Sequence, residues 1–133
     1  MEKKHIIVCV RRDIDPVVRD FFSNERKARE IFEVFYCDAL RQIRSRLARS
    51  PKTPFHLIID TVLSHEPAAP FIKEVRSEYP ALKVMLIGSS EMKKEDLVEL
   101  IQTKAVRAVL MRPFTQNDLI EKTLVLCGFQ SVK

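Results

Sequence analysis

Glycine is scarce: only Gly88 and Gly128 occur among 133 residues. Phosphate loops of the GxGxxG and GxxxxGK[ST] types need several glycines so that the backbone can approach the phosphates, and both are excluded. Cysteine is few and odd in number, with Cys9, Cys37 and Cys127. None has CxxC or Cys/His spacing, which removes the common zinc sites. Each lies in an apolar segment, as buried free thiols do in a reducing compartment. No apolar run approaches the roughly 18 residues of a membrane span. The opening "MEKKH" leads directly into an apolar run, without the profile of a secretory signal. These absences lead to the expectation of one cytoplasmic domain over residues 1–133, with one core and no membrane association.

What is present is a basic excess and a regular alternation of short apolar runs. The formal net charge is +5. It permits weak attraction to acidic partners or nucleic acid, but a solvated basic surface is the simpler reading. Five runs read as strands: "HIIVCV" (5–10), "IFEVFYC" (31–37), "FHLII" (55–59), "KVMLI" (83–87) and "RAVLM" (107–111). The first, third, fourth and fifth are nearly continuous, the pattern of strands buried on both faces of a parallel sheet. The second alternates, with Phe32, Val34 and Tyr36 on one face and Glu33 on the other, which suits the sheet edge.

Helical spacing falls between the runs. Asp13 or Asp15 can cap a first helix with Pro16 in its first turn, and Val17, Val18, Phe21 and Phe22 follow. A second helix covers about Ala39 to Arg49, with Leu40, Ile43 and Leu47 on one stripe. A third lies between Pro67 and Tyr79, with Phe71, Ile72, Val75 and Tyr79 inward. A fourth follows Ser89 and Ser90, which can cap it, and buries Leu97, Val98 and Ile101. In the fifth, Thr115 and Asp118 form a capping box with Asp in place of Glu, and Gly128 suits the C′ position. Right-handed crossovers turn this order into a doubly wound α/β sheet, which binds ligands at the carboxyl ends of its strands. The residues there are Arg11 to Asp15, Asp60, Gly88 to Ser90, and Arg112 to Phe114.

Asp60 directly follows "FHLII", and Arg112-Pro113-Phe114 follows "RAVLM". On these residues, together with "DIDPVVR", the chain resembles the response-regulator receiver domain across essentially its whole length. The resemblance implies a flavodoxin-like (βα)5 fold, a five-stranded parallel sheet with helices on both faces. It makes Asp60 the phosphoacceptor candidate. It matches Pro113-Phe114 to the end of the family's Lys-Pro-Phe motif, whose Lys-Pro bond is commonly cis.

Departures from the family pattern concentrate at the same strand ends. A receiver holds Mg²⁺ with two acids after the first strand and the acceptor carboxylate. Counted from the strand end, those acid positions fall on Val10-Arg11 or Arg11-Arg12. Counted back from Pro16, they fall on Asp13-Ile14, with Asp15 just after. Gly88 takes the place of the phosphate-binding Thr or Ser, with Ser89 one step late. Arg112 replaces the lysine, and Val109 replaces the switch aromatic. Arginine grips carboxylate or phosphate in a bidentate fork and is not equivalent to lysine. Arg11, Arg12 and Arg112 would repel Mg²⁺ and pair with Asp60.

The resulting expectation is a signal-transduction receiver of two-component, phosphorelay type. It is degenerate, a bacterial-type pseudo-receiver that is not an enzyme and acts by protein–protein interaction. No cofactor is expected, or Mg²⁺ held by Asp13 and Asp60 if the acidic site is functional, in which case Asp60 is a working phosphoacceptor. The implied partner is a histidine kinase or a downstream effector, with a homodimer through the fourth helix, fifth strand and fifth helix as a further option. The alternative of another class is a small flavodoxin-like nucleotide or nucleic-acid binding module. The basic run Arg41, Arg44, Arg46, Arg49 and Lys52 reads as a solvated helix face, which argues against a nucleic-acid partner. His56 reads as a hydrogen-bonded structural histidine, and His65 as a residue near the pocket mouth.

Overall fold

Neighbouring residues of a strand point to opposite faces, and in the central runs both sets are apolar, so each strand must be covered on two sides. The computed structural model describes residues 3–63, 66–89 and 92–129. In chain order the elements are β1 (Lys4–Cys9), α1 (Asp15–Asn24), α2 (Arg26–Ile31), β2 (Phe32–Tyr36), α3 (Leu40–Arg49) and β3 (Phe55–Asp60). They continue with β4 (Val62–Leu63), β5 (Glu66–Pro67), α4 (Ala68–Glu78), β6 (Lys83–Gly88), α5 (Lys94–Gln102), β7 (Ala108–Met111) and α6 (Gln116–Leu126). The main sheet runs β2-β1-β3-β6-β7, every pairing parallel, which is the doubly wound order.

Two core layers follow from the alternation. On one face Ile7, Leu57, Ile59, Val84 and Leu86 pack under α3, α4 and α5, through Ile43, Ile72 and Leu100 among others. On the other Ile6, Val8, Ile58, Met85 and Ile87 pack under α1, α2 and α6, through Val18, Phe21, Ala28 and Leu119 among others. The amphipathic stripes of α1, α3 and α4 are therefore what place helices on both faces. β2 is an edge strand, with Glu33 exposed.

Several local expectations need correction. Neither Asp13 nor Asp15 caps α1: the N-cap is Ile14, with no side-chain cap bond, and Asp15 lies in the first turn beside Pro16. The turn closes through the backbone instead, where the Ile14 and Asp15 N–H groups both donate to the Arg11 carbonyl at 3.1 and 3.0 Å. Val17 is 49% exposed, so the α1 stripe is Val18, Phe21 and Phe22. In α5 the phase is rotated: Leu100 is buried, while Val98 and Ile101 are 39% and 51% exposed. Four apolar residues within five positions permit two overlapping stripes, and packing selects the one through Leu100. Lys93, not Ser89, is the N-cap of α5, and Ser90 lies outside the described residues, as does His65. The capping box of Thr115 and Asp118 is present, and Gly128 follows the α6 C-cap with φ 86°.

α2 and the β4–β5 hairpin are additions to the sequence expectation. α2 has one buried side chain, Ala28, so it carries no apolar stripe to read. β4 and β5 pair through only Val62↔Pro67 and Leu63↔Glu66, too short for periodicity.

Candidate functional site

Asp60 ends β3 with its side chain fully buried. A carboxylate there is costly unless its oxygens are satisfied. Both are. Oδ1 accepts from the Thr61 backbone N–H at 2.9 Å and from the Thr61 hydroxyl at 3.5 Å. Oδ2 accepts from the Arg11 backbone N–H at 3.2 Å and from Nη2 of Arg112.

Arg112 leaves the end of β7, beside β6, and its backbone N–H bonds the Gly88 carbonyl at 2.9 Å. The Arg112–Pro113 peptide bond is cis. The guanidinium is 17% exposed and forks between two acids, with Nη2 on Asp60 and Nη1 on Asp13 Oδ2 at 2.7 Å. Burial opposes its charge, but the hydrogen bond to Asp13 and the charge of Asp60 outweigh that and push its pKa up. The same hydrogen bond holds Asp13 below the usual carboxylate value, with the charges of Arg112 and Arg11 adding to it. One planar cation thus ties the first loop to the third strand end.

The register question in "VRRDIDP" is answered by these contacts. Asp13 is the acid that turns toward Asp60, and it does so through Arg112. Asp15 faces along α1 and pairs with Arg19 at 2.7 Å. Arg12 is exposed, and Arg11 reaches Asp60 through its backbone. Above Asp60 lies a cleft of about 570 Å³. Arg11, Asp13, Ser89 and Arg112 form its polar side, and Ile14, Val17, Pro113 and Phe114 its apolar side. Ser89 Oγ and Arg112 Nε are buried there without a hydrogen-bond partner among the described residues.

Gly88 has no side chain, and the space is taken. A Cβ placed on it would lie 2.6 Å from the Met111 sulfur and 3.7 Å from Val109. Met111 pairs with Gly88 across β6 and β7, so its thioether covers the strand end where a hydroxyl residue would project. Cys9, near Asp60, is pushed up to about 12, chiefly by burial and then by Cys37, Asp38 and Asp60. It is a neutral thiol rather than a nucleophile. Thr61, which satisfies Oδ1, is a site residue that pattern reading missed. Its signal was position alone, the first residue after a buried strand-end carboxylate.

The basic helix α3 is partly engaged by the chain itself. Arg44 pairs with Glu74 at 3.0 Å and Glu78 at 2.7 Å, and the Arg46 guanidinium sits 4.2 Å from the Phe35 ring centre. His56 has its Nδ1 3.3 Å from the His5 carbonyl oxygen, as a structural histidine would.

No protein-family model matches the chain, and no curated protein matches it. Solved structures do. The signal receiver domain of a LuxO repressor protein from Vibrio parahaemolyticus superposes with TM-score 0.77 at 14% identity, over 94% of this chain and 90% of that one. The chemotaxis protein CheY4 of Vibrio cholerae gives 0.71 at 19% identity, over 94% and 99%. The signal receiver domain of an HD domain-containing protein from Pseudomonas fluorescens Pf-5 gives 0.78 at 12% identity, over 95% and 88%. The chain has the flavodoxin-like fold of response-regulator receiver domains.

Proposed function

We propose that the chain is a signalling module of receiver type that works by contact with partner proteins and does not run the Mg²⁺-dependent phosphoryl cycle. The observation that carries this reading is the Arg112 fork between Asp60 and Asp13. Mg²⁺ is held by one or two carboxylates whose oxygens turn toward one point, with waters completing its shell. Here the two nearest acids are turned toward a guanidinium, which brings the compensating charge itself. Among the described residues no group of three or more His, Cys, Asp or Glu side chains is placed to hold a metal ion. The residues at this site do not fit Mg²⁺. Phosphoryl transfer to Asp60 would also require an oxygen already bonded to Arg112 and Arg11, or to Thr61, to become the nucleophile.

The switch machinery is altered in the same direction. Val109 offers no ring and Gly88 no hydroxyl, and Met111 fills the space beside Gly88. A module with this site signals by presenting a surface, not by chemistry, so it is not an enzyme. Val98 and Met111 are exposed apolar residues on α5 and β7. They belong to the α5–β7–α6 face, which is the surface for a histidine kinase, an effector or a second copy. Among the described residues no helix is long and apolar enough to cross a membrane.

The test is incubation with acetyl phosphate and Mg²⁺ followed by intact mass measurement. No phosphoryl adduct is expected. A stoichiometric adduct that disappears in Asp60→Asn would establish the phosphoacceptor instead.

A further inference from the structure

A second polar cleft lies at the opposite pole of the sheet, where the strands begin. It has a volume of about 620 Å³, and no carboxylate lines it. Four cations do: Arg76 from α4, Lys83 at the start of β6, Lys104 after α5, and Arg107 just before β7. None of the four forms an ion pair among the described residues. Arg76 is held by main-chain carbonyls only, at Pro80 and, at 3.4 Å, at Lys104, so its charge is positioned without being cancelled. The positive field reaches the neighbouring strand. His56 is lowered first by its burial, against the His5 carbonyl, and then by Lys83, Lys4 and Arg107.

Lys104 is placed on the cleft by the turn that ends α5. It follows the C-cap of α5 with φ 60°, the left-handed region where glycine is favoured at this helix position. A side chain is less favourable there than glycine. The turn is closed by the Ala105 N–H donating to the Leu100 carbonyl at 2.9 Å, and it sets Lys104 on the cleft wall. Exposed Ile101, with Pro80 and Ala81, supplies an apolar surface beside the cations.

We propose that this cleft binds a small organic phosphate bearing several negative charges, of the nucleoside di- or triphosphate class. The volume lies within the range of small-molecule sites, roughly 300–1,000 Å³. Converging cations suit clustered phosphate oxygens, and the apolar wall suits a base or ring. The site is independent of the reading of Asp60, since its residues lie at the other end of the strands.

Titration of the whole chain with ATP by calorimetry, in moderate salt, tests it. Saturable one-to-one binding is expected. The double variant Lys104→Gly with Arg107→Gln is expected to bind at least about tenfold more weakly, the loss of one charge-assisted contact or more. Glycine fits φ 60°, so the fold is kept, which a thermal melt verifies; Lys83→Gln alone weakens binding in the same direction. Arg12→Gln, at the far pole, leaves binding unchanged. Absence of saturable binding, an unaltered affinity in the double variant, an equal loss in Arg12→Gln, or tighter binding of an oligonucleotide or an acidic peptide than of ATP would each overturn the proposal.

Discussion

The two poles of the sheet use positive charge in opposite ways. At the carboxyl pole, Arg112 is mostly buried and spent on Asp60 and Asp13. At the amino pole, Lys83, Lys104, Arg107 and Arg76 line a cleft that contains no acid. The first arrangement compensates a buried carboxylate within the chain. The second leaves charge for something outside the chain. A buried charge is retained when a partner compensates it, whereas exposed charge near like charge weakens the fold slightly and raises the local concentration of counter-ions.

Substitutions can break this contrast, and the largest effect lies at the carboxyl pole. Arg112→Ala leaves a fully buried carboxylate without its ionic partner, and a loss of about 3–5 kcal/mol is expected in urea unfolding. Thr115→Ala removes the cap of the helix that follows Arg112-Pro113-Phe114, and about 1 kcal/mol should be lost in the same assay. At the amino pole the effects shrink. Lys104→Gly should alter stability by less than about 1 kcal/mol, because relief of the left-handed residue offsets glycine's added freedom in the unfolded chain. Arg107→Gln should stay within about 0.5 kcal/mol, as at an ordinary surface position. A destabilisation there comparable with that of Arg112→Ala would erase the distinction between the poles.

The remaining effects are in pH. Asp13 is depressed in the folded chain, so its contribution is present above the unfolded carboxylate value of 3.8 and is lost as pH falls through the folded one. Acid unfolding of Asp13→Asn should therefore lack that component. Cys9 is raised from 9.0 to about 12, so it favours the folded state below pH 9 and that contribution fades as pH climbs toward 12. Urea midpoints measured across that alkaline range should fall steadily.

Much of the fold was legible because its core is a matter of pattern. Runs such as "FHLII" and "KVMLI" are short, nearly continuous and partly β-branched, the pattern of strands covered on both faces, and the stripe of Leu40, Ile43 and Leu47 packs against them. Where several apolar residues crowd together, as at Leu97 to Ile101, periodicity leaves the helix phase open and packing decides it. The short hairpin and α2 carry too few buried residues to show in any period. At the site, residue types named the participants, Asp60, Asp13, Arg11 and Arg112, and the pairing of Arg112 with Asp60, but not the second arm of the fork to Asp13. Which acid turns toward Asp60 depends on the turn at Arg11 to Asp15, closed by backbone bonds that leave no mark on side-chain chemistry. The blocking of Gly88 by Met111 arises from register between β6 and β7, likewise invisible along the chain.

The central claim is that a guanidinium stands where a receiver's cation would act, and Mg²⁺ titration of the isotope-labelled protein tests it most directly. The amide signals of Arg11 and Thr61, whose N–H groups bond the two oxygens of Asp60, are the reporters. They should stay in place up to roughly millimolar Mg²⁺, a range in which weak all-oxygen sites fill. Saturable shifts of both signals, together with Asp13, would show that the metal displaces Arg112 and would contradict the account.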